Sequence, residues 1–313
     1  MNSNPPAVTG LHHITAIAGE ARRNLAFYRD TLGLRLVKRT VNFDDPTTYH
    51  LYFADRTGTP GTAFTTFPWG DAPRGQRGPG EVGAVAYAVP PGALPGWHER
   101  LAARGVAVRE GGSRFGEPVL ALDDEGGGSV ELIESARGRA EVTPWEGDGA
   151  PAALALRGFH APTLVVTRAG PTQHVLALLG FGERGATGNR RRLAVGAGGP
   201  GREVDLVEDG AGRARQGSGS VHHLAFRVPD DATQLAFRRV LADAGLAVTE
   251  VRDRSYFRSI YFREPGGILF EIATDGPDFT VDEPESELGR ALKLPPQYEA
   301  HRAQIERALP ALE

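Results

Sequence analysis

The chain has 313 residues, 40% of them hydrophobic, which suits two domains of ordinary size with real cores. Its 35 Lys and Arg against 39 Asp and Glu leave a net charge of −4, so no polycationic face is available for nucleic acid and no basic stretch for a membrane surface. The absence of cysteine excludes disulfides, thiolate nucleophiles and every sulfur-ligated zinc or iron–sulfur centre, so a bound metal must be held by nitrogen and oxygen.

The opening stretch MNSNPPAVTG is polar and proline-bearing, and no apolar run is long enough to cross a membrane, so a cytoplasmic protein is expected. From there the chain repeats itself. Residues 9–67 read as a strand (GLHHITAIAG), a helix (ARRNLAFYRDTLG) and three further strands. Residues 82–134 repeat the order, with a helix around LPGWHERLAARG and a last strand in VELIES. A third copy spans 156–208, with the helix PTQHVLALLG, and a fourth spans 218–274, with DATQLAFRRVLADAG. Every helix has apolar residues at three-to-four spacing and stops at a glycine: Gly33, Gly105, Gly180 and Gly245. The expected fold class is therefore α+β, with four βαβββ modules in which mixed, curved sheets form an open, barrel-like cavity.

Between the second and third copies, residues 135–153 are rich in Gly, Pro and charge and lack a period. This predicts an N-terminal domain over 1–145, a C-terminal domain over 146–275 and a helical tail over 276–313, with Tyr298, Ile305 and Leu309 among the apolar tail positions. A homodimer is expected from strand edges and this tail.

Adjacent histidines occur at 12–13, in GLHHIT, and again at 222–223, in SVHHLAF. Neighbours in a regular strand face opposite ways, so only one member of each pair is expected to enter a given cavity. Aligning the copies by their glycine turns sets Glu271 level with Glu131, Asp205 and roughly Thr65, and sets His13 level with Ala84, His160 and His223. Two imidazoles and one carboxylate on one face of a metal leave the other face open, an arrangement diagnostic of mononuclear non-haem Fe(II) oxygenases. His13, His223 and Glu271 fit it.

The sequence resembles the vicinal oxygen chelate superfamily of glyoxalase I, bleomycin-resistance proteins and type I extradiol dioxygenases, and within it the hydroquinone-cleaving, PcpA-like dioxygenases. The resemblance is carried by LHHIT (11–15), LVKRTVNFDDP (36–46), YHLYFAD (49–55), VHHLAF (221–226), SIYFREPGGILFEIATD (259–275) and FTVDEP (279–284). It implies an Fe(II) enzyme, with Mn(II) as the alternative metal, that cleaves a small dihydroxybenzene with O2. His13, His223 and Glu271 would be ligands, and His12, Thr15, His222, Arg254 and Tyr261 would position substrate and move protons. Catechol-cleaving relatives use their third and fourth copies instead, which would put His160 in place of His13 and leaves a second site in the middle copies open.

Two other classes compete: a glyoxalase-like isomerase or lyase, and a metal-free small-molecule binding protein. The first generally needs a fourth ligand at Thr65 or Thr66, and neither threonine is a good ligand or base. His50, on a strand of the first copy, could border the cavity but reads first as a satisfied core or edge histidine, His98 and His174 read as helix-surface residues, and the run Arg190–Arg192 as a solvated face.

Overall fold

A computed structural model of the chain describes residues 7–147 and 149–312; the stretch 1–6 at the start of the polar opening segment lies outside them, as do Asp148 and Glu313. The four-fold repeat is present in full. The first module contains β1 (Gly10–Ala18), α1 (Ala21–Leu25), β2 (Arg35–Asn42), β3 (Asp45–Ala54) and β4 (Ala63–Pro68). The second contains β5 (Glu81–Val89), α2 (Leu94–Ala102), β6 (Val108–Arg114), β7 (Glu117–Asp123) and β8 (Ser129–Glu134). The third contains β9 (Thr163–Val166), α3 (Ala169–Leu178), β10 (Gly182–Thr187), β11 (Arg190–Ala194) and β12 (Glu203–Glu208). The fourth contains β13 (Val221–Val228), α4 (Asp231–Asp243), β14 (Arg252–Asp253), β15 (Phe257–Arg263) and β16 (Leu269–Pro277). The four glycines after the helices have φ of +79°, +68°, +94° and +83°, the left-handed geometry that ends a helix without a Cβ penalty. The first helix differs from expectation: past Leu25 it widens into a π turn over Ala26–Thr31.

The sixteen strands form two curled mixed sheets of eight. One has the order β14–β15–β16–β13–β1–β4–β3–β2 and joins the first module to the fourth; the other, β10–β11–β12–β9–β5–β8–β7–β6, joins the second to the third. In each, two modules meet through their first strands, antiparallel: β1 on β13, and β5 on β9. A lone module leaves one edge of its first strand unpaired, and the partner module supplies the missing ladder. The linker 135–153 thus connects two strands of one sheet, while the chain crosses between sheets at 69–80 and 209–220. One large apolar core spans both sheets and the helices, with Ile14, Phe64, Tyr87, Leu132, Trp97 and Phe237 all buried within it.

The tail continues from β16 through short 3-10 turns into α5 (Arg302–Ala308). Ile305 and Leu309 are buried and the Tyr298 hydroxyl donates to the Phe43 carbonyl at 2.8 Å, so the apolar positions read from the sequence pack against the chain itself. No helix among the described residues is long and apolar enough to cross a membrane.

Where the loop between β7 and β8 meets α1, two carboxyl groups sit side by side. Asp124 accepts from the Tyr28 hydroxyl (2.8 Å), and Glu125 accepts from the Asn24 amide (2.8 Å) while its second oxygen is buried without a hydrogen-bond partner. Burial, reinforced by the Asp124 charge, pushes the Glu125 carboxyl up to about 7. A carboxyl raised on folding stabilises fully below its unfolded value and loses that contribution as pH climbs through its folded one. Glu125→Gln should therefore melt higher than the unaltered protein at pH 8, with the gap closing by pH 5. A pH-independent gap in thermal melts would contradict this origin.

Candidate metal centre

The two histidine pairs meet at the β1–β13 seam, and each is a β-bulge. Across that seam Leu11 pairs with Phe226 and His13 with Ala225, so His12 is skipped; Thr15 pairs with His223 and Ala16 with Val221, so His222 is skipped. An extra, unpaired residue re-aims its side chain. The His12 and His13 Nδ1 atoms lie 2.9 Å apart and the His222 and His223 Nδ1 atoms 2.8 Å; His13 lines the cavity while His12 turns to the Thr274 carbonyl, as one histidine per cavity predicts, but His222 lines the same cavity as His223, which corrects that expectation for the second pair.

The Nε2 atoms of His13 and His223 are 3.1 Å apart, and both face Glu271 on the neighbouring β16, whose Oε2 is 3.3 Å from His13 and 3.0 Å from His223. All three side chains are buried. Donors about 2.1 Å from a common centre are about 3.0 Å apart when set at right angles and about 3.4 Å apart when tetrahedral. The observed edges fit three corners of one face. Glu271 Oε2 is buried with no hydrogen-bond partner, while Oε1 accepts a short bond from the Ser259 hydroxyl, so the carboxylate is fixed with one oxygen left over for a cation. Burial opposes the Glu271 charge, but His13 and His223 outweigh it and hold the carboxyl well below the usual range. Burial, aided by His13, lowers His223.

Proton placement is consistent with this use. His12 Nε2 lies 3.1 Å from the Thr274 carbonyl, which can only accept, so the His12 proton sits there. His12 Nδ1 then accepts from His13 Nδ1–H, which leaves the His13 Nε2 lone pair free, the pattern by which a second residue orients a ligating imidazole. Burial and the neighbouring His13 push His12 down to about 3; burial and His223 do the same to His222. Glu271 is thus ionised and His223 neutral at neutral pH, the forms a metal requires.

A cavity of about 340 Å³ borders two of the three donors, His13 and His223. Arg254 and Tyr261 line one side, with Arg254 Nε donating to the Tyr261 hydroxyl at 3.1 Å. Phe257, Phe67, Trp69 and Phe43 form apolar walls. Thr15 does not border the cavity lining; its hydroxyl is 2.7 Å from that of Thr65, the cross-strand pairing that its position allowed. Sequence alone did not point to Tyr52, and for His50, which could border the cavity, it favoured a satisfied core or edge histidine. Both lie on β3, two residues apart and hence on one face, and both line the cavity. Strand alternation alone could have flagged them had the facing of β3 been known. His98 and His174 are exposed on helices, as expected.

In the other sheet the equivalent positions are occupied by ion pairs. Glu131 is bridged by both Arg114 terminal nitrogens, and Asp205 by Arg192 (2.8 Å) and Arg190 (3.1 Å). His160 is buried 3.0 Å from Glu117. Arginines thus stand where a cation would be needed, and among the described residues His13, His223 and Glu271 are the one group that could hold a metal. The run Arg190–Arg192 is accordingly no solvated face: Arg192 is 4% exposed and touches Glu117, Glu203 and Asp205.

Residues 10–272 match the model of the glyoxalase/bleomycin resistance protein/dioxygenase superfamily. The chain belongs to this superfamily. Among its relatives, "Putative ring-cleaving dioxygenase MhqO" of Bacillus subtilis is 46% identical over 301 residues, covering 96% of this chain and 95% of that protein. The chlorohydroquinone/hydroquinone 1,2-dioxygenase of Sphingobium indicum is 38% identical over 316 residues, covering 97% of each. A crystal structure described as a "putative dioxygenase" from Bacillus subtilis superposes with a TM-score of 0.93 at 44% identity, over 98% of both chains. The paired, curled sheets are therefore the superfamily fold.

Proposed function

We propose that the protein is a ring-cleaving dioxygenase that binds Fe(II) through His13, His223 and Glu271 and acts on a hydroquinone-type dihydroxybenzene with O2. The observation that carries this reading is the facial set of three donors with an unpartnered carboxylate oxygen, opening onto an aromatic-walled cavity. The names of the similar proteins support the reaction and the ring class. Against an isomerase, the fourth corner holds Thr65, whose hydroxyl is taken up by Thr15 and His50.

Bound Fe(II) would supply the electron transfer between ring and oxygen that no side chain here can perform. The chain's own groups bind and orient. The Arg254 guanidinium, kept charged by its contacts with Tyr261 and Asp44 despite burial, favours a substrate that has lost its phenolic proton. Burial and the Glu271 charge raise the Tyr261 hydroxyl, so it stays protonated and can donate to an anionic oxygen. His222, neutral and bordering the cavity, offers a second polar contact. Phe67, Trp69 and Phe257 line the cavity with apolar surface on which an aromatic ring would pack, with water displaced from it.

Anaerobic loading with Fe(II), followed by oxygen-electrode assays, tests this. Uptake with hydroquinones, and none with a methylglyoxal–thiol adduct, is the expected result. Conversion of the adduct without oxygen uptake would establish the isomerase instead, and failure to retain any metal would favour a binding protein.

A further inference from the structure

We propose that Tyr52, held in place by His50, Thr65 and Thr15, receives the ring hydroxyl that the metal does not hold, and so selects a para-dihydroxybenzene. This deepens the dioxygenase reading and rests on it for the identity of the ring.

The register of the sheet sets the arrangement. Along one row, Thr15 on β1 pairs with Thr65 on β4, and Thr65 with Tyr52 on β3. In the partner module the matching row is Ala225 on β13, Glu271 on β16 and Tyr261 on β15. Thr65 therefore occupies the corner related to Glu271, and Tyr52 the place related to Tyr261. The two tyrosines look at one cavity from opposite arms of the sheet.

The corner given up by Thr65 is put to another use. The Thr15 and Thr65 hydroxyls are 2.7 Å apart, Thr65 Oγ1 is 2.8 Å from His50 Nε2, and His50 Nδ1 is 2.9 Å from the Tyr52 hydroxyl. Both His50 nitrogens are engaged, so the imidazole itself has nothing left to offer a ligand. The Tyr52 hydroxyl has: a phenol both donates and accepts, and His50 uses one of these capacities. The chain can run in two senses. If Tyr52 donates to His50, its oxygen is free to accept from a ring hydroxyl; if His50 donates to Tyr52, the Tyr52 proton is free for a ring oxygen. Burial holds His50 well below and Tyr52 well above their ordinary values, so either sense leaves every member uncharged.

Charge decides which oxygen goes where. The opposite arm carries Arg254 beside Tyr261 and suits the anionic oxygen held at the three donors. The Tyr52 arm is neutral and suits an uncharged hydroxyl. Two ortho oxygens would both be drawn to one cation, whereas a para hydroxyl lies across the ring, away from it. His50 packs at a tilt between Tyr52 (4.1 Å between ring centres, 37°) and Phe67 (4.4 Å, 43°), which limits the hydroxyl's position along the wall.

The test is calorimetric binding without oxygen, using metal-loaded full-length protein with hydroquinone and with phenol. The unaltered protein should bind hydroquinone about tenfold more tightly than phenol, the worth of one hydrogen bond. In Tyr52→Phe the ratio should fall to near one with phenol affinity and metal content unchanged. Thr65→Val, which unhooks His50, should lower the ratio partway. A ratio that survives Tyr52→Phe, or no discrimination by the unaltered protein, overturns the proposal. Oxygen uptake is read separately: a ratio that collapses in Tyr52→Phe while the unaltered protein consumes no oxygen would sink the dioxygenase reading and leave this contact standing.

Discussion

Glu271→Ala protein will retain no Fe(II) through gel filtration and will consume no measurable oxygen with hydroquinone, while keeping its fold by circular dichroism. The carboxylate supplies the centre's only ligand charge, and its Oε2 is within 3.3 Å of both imidazole Nε2 atoms. Losing a partner that merely orients a ligand costs about 10–100-fold in metal affinity, so losing the ligand itself should cost more than about 100-fold. The fold should survive because the substitution also removes a buried oxygen that has no hydrogen-bond partner. Glu271→Gln separates charge from shape: its side-chain oxygen can still accept from Ser259, yet the anion is gone, so metal retention should fall nearly as far. Iron content and oxygen uptake that persist in Glu271→Ala would show that the three residues are not the ligand set.

The second large effect lies outside the cavity. Lys38 on β2 is fully buried, with its Nζ 2.6 Å from Asp282, in a shorter contact with Glu283 and 3.1 Å from the Phe279 carbonyl, over the ring of Tyr256. It ties the tail segment that follows β16 onto the outer strands of the first module. Lys38→Met keeps the stem but strands the Glu283 carboxylate, only 4% exposed, without its cation. Removing one partner of a buried pair typically costs about 3–5 kcal/mol, far more than the pair's net worth, because the remaining charge stays desolvated. Denaturant melts should show a loss of that order, and Lys38→Met combined with Glu283→Gln should recover much of it. An additive double variant would mean that the pair is not coupled. Two of the motifs that carried the family resemblance, LVKRTVNF and FTVDEP, are thus the two sides of one buried clamp.

The same contrast between local pattern and long-range contact runs through the whole molecule. The four βαβββ modules could be read from the sequence because helix period, strand alternation and terminating glycines are local properties, set within about twenty residues of each other. His13, His223 and Glu271 could be found as well, since matching positions in a repeat carry across the chain without any knowledge of contacts. His12 and His222 were visible as doublets, but not their direction. A regular strand sends neighbours to opposite faces, and only the register across the β1–β13 seam makes each a bulge that turns it toward its partner.

What the sequence by itself determined is the unit, its four copies and the residue types at its key positions. Only the tertiary structure decided which copies share a sheet, because the partner for the first strand of each module lies about two hundred residues away for β1 and about eighty for β5. That pairing put two imidazoles and a carboxylate around one point in the first-with-fourth sheet and arginines around the equivalent acids in the other. It also brought His50 and Tyr52, of which the sequence singled out only the first, into the lining of the cavity beside His13 and His223. Side-chain convergence of this kind depends on sheet register and curl, neither of which is written in any one stretch of residues.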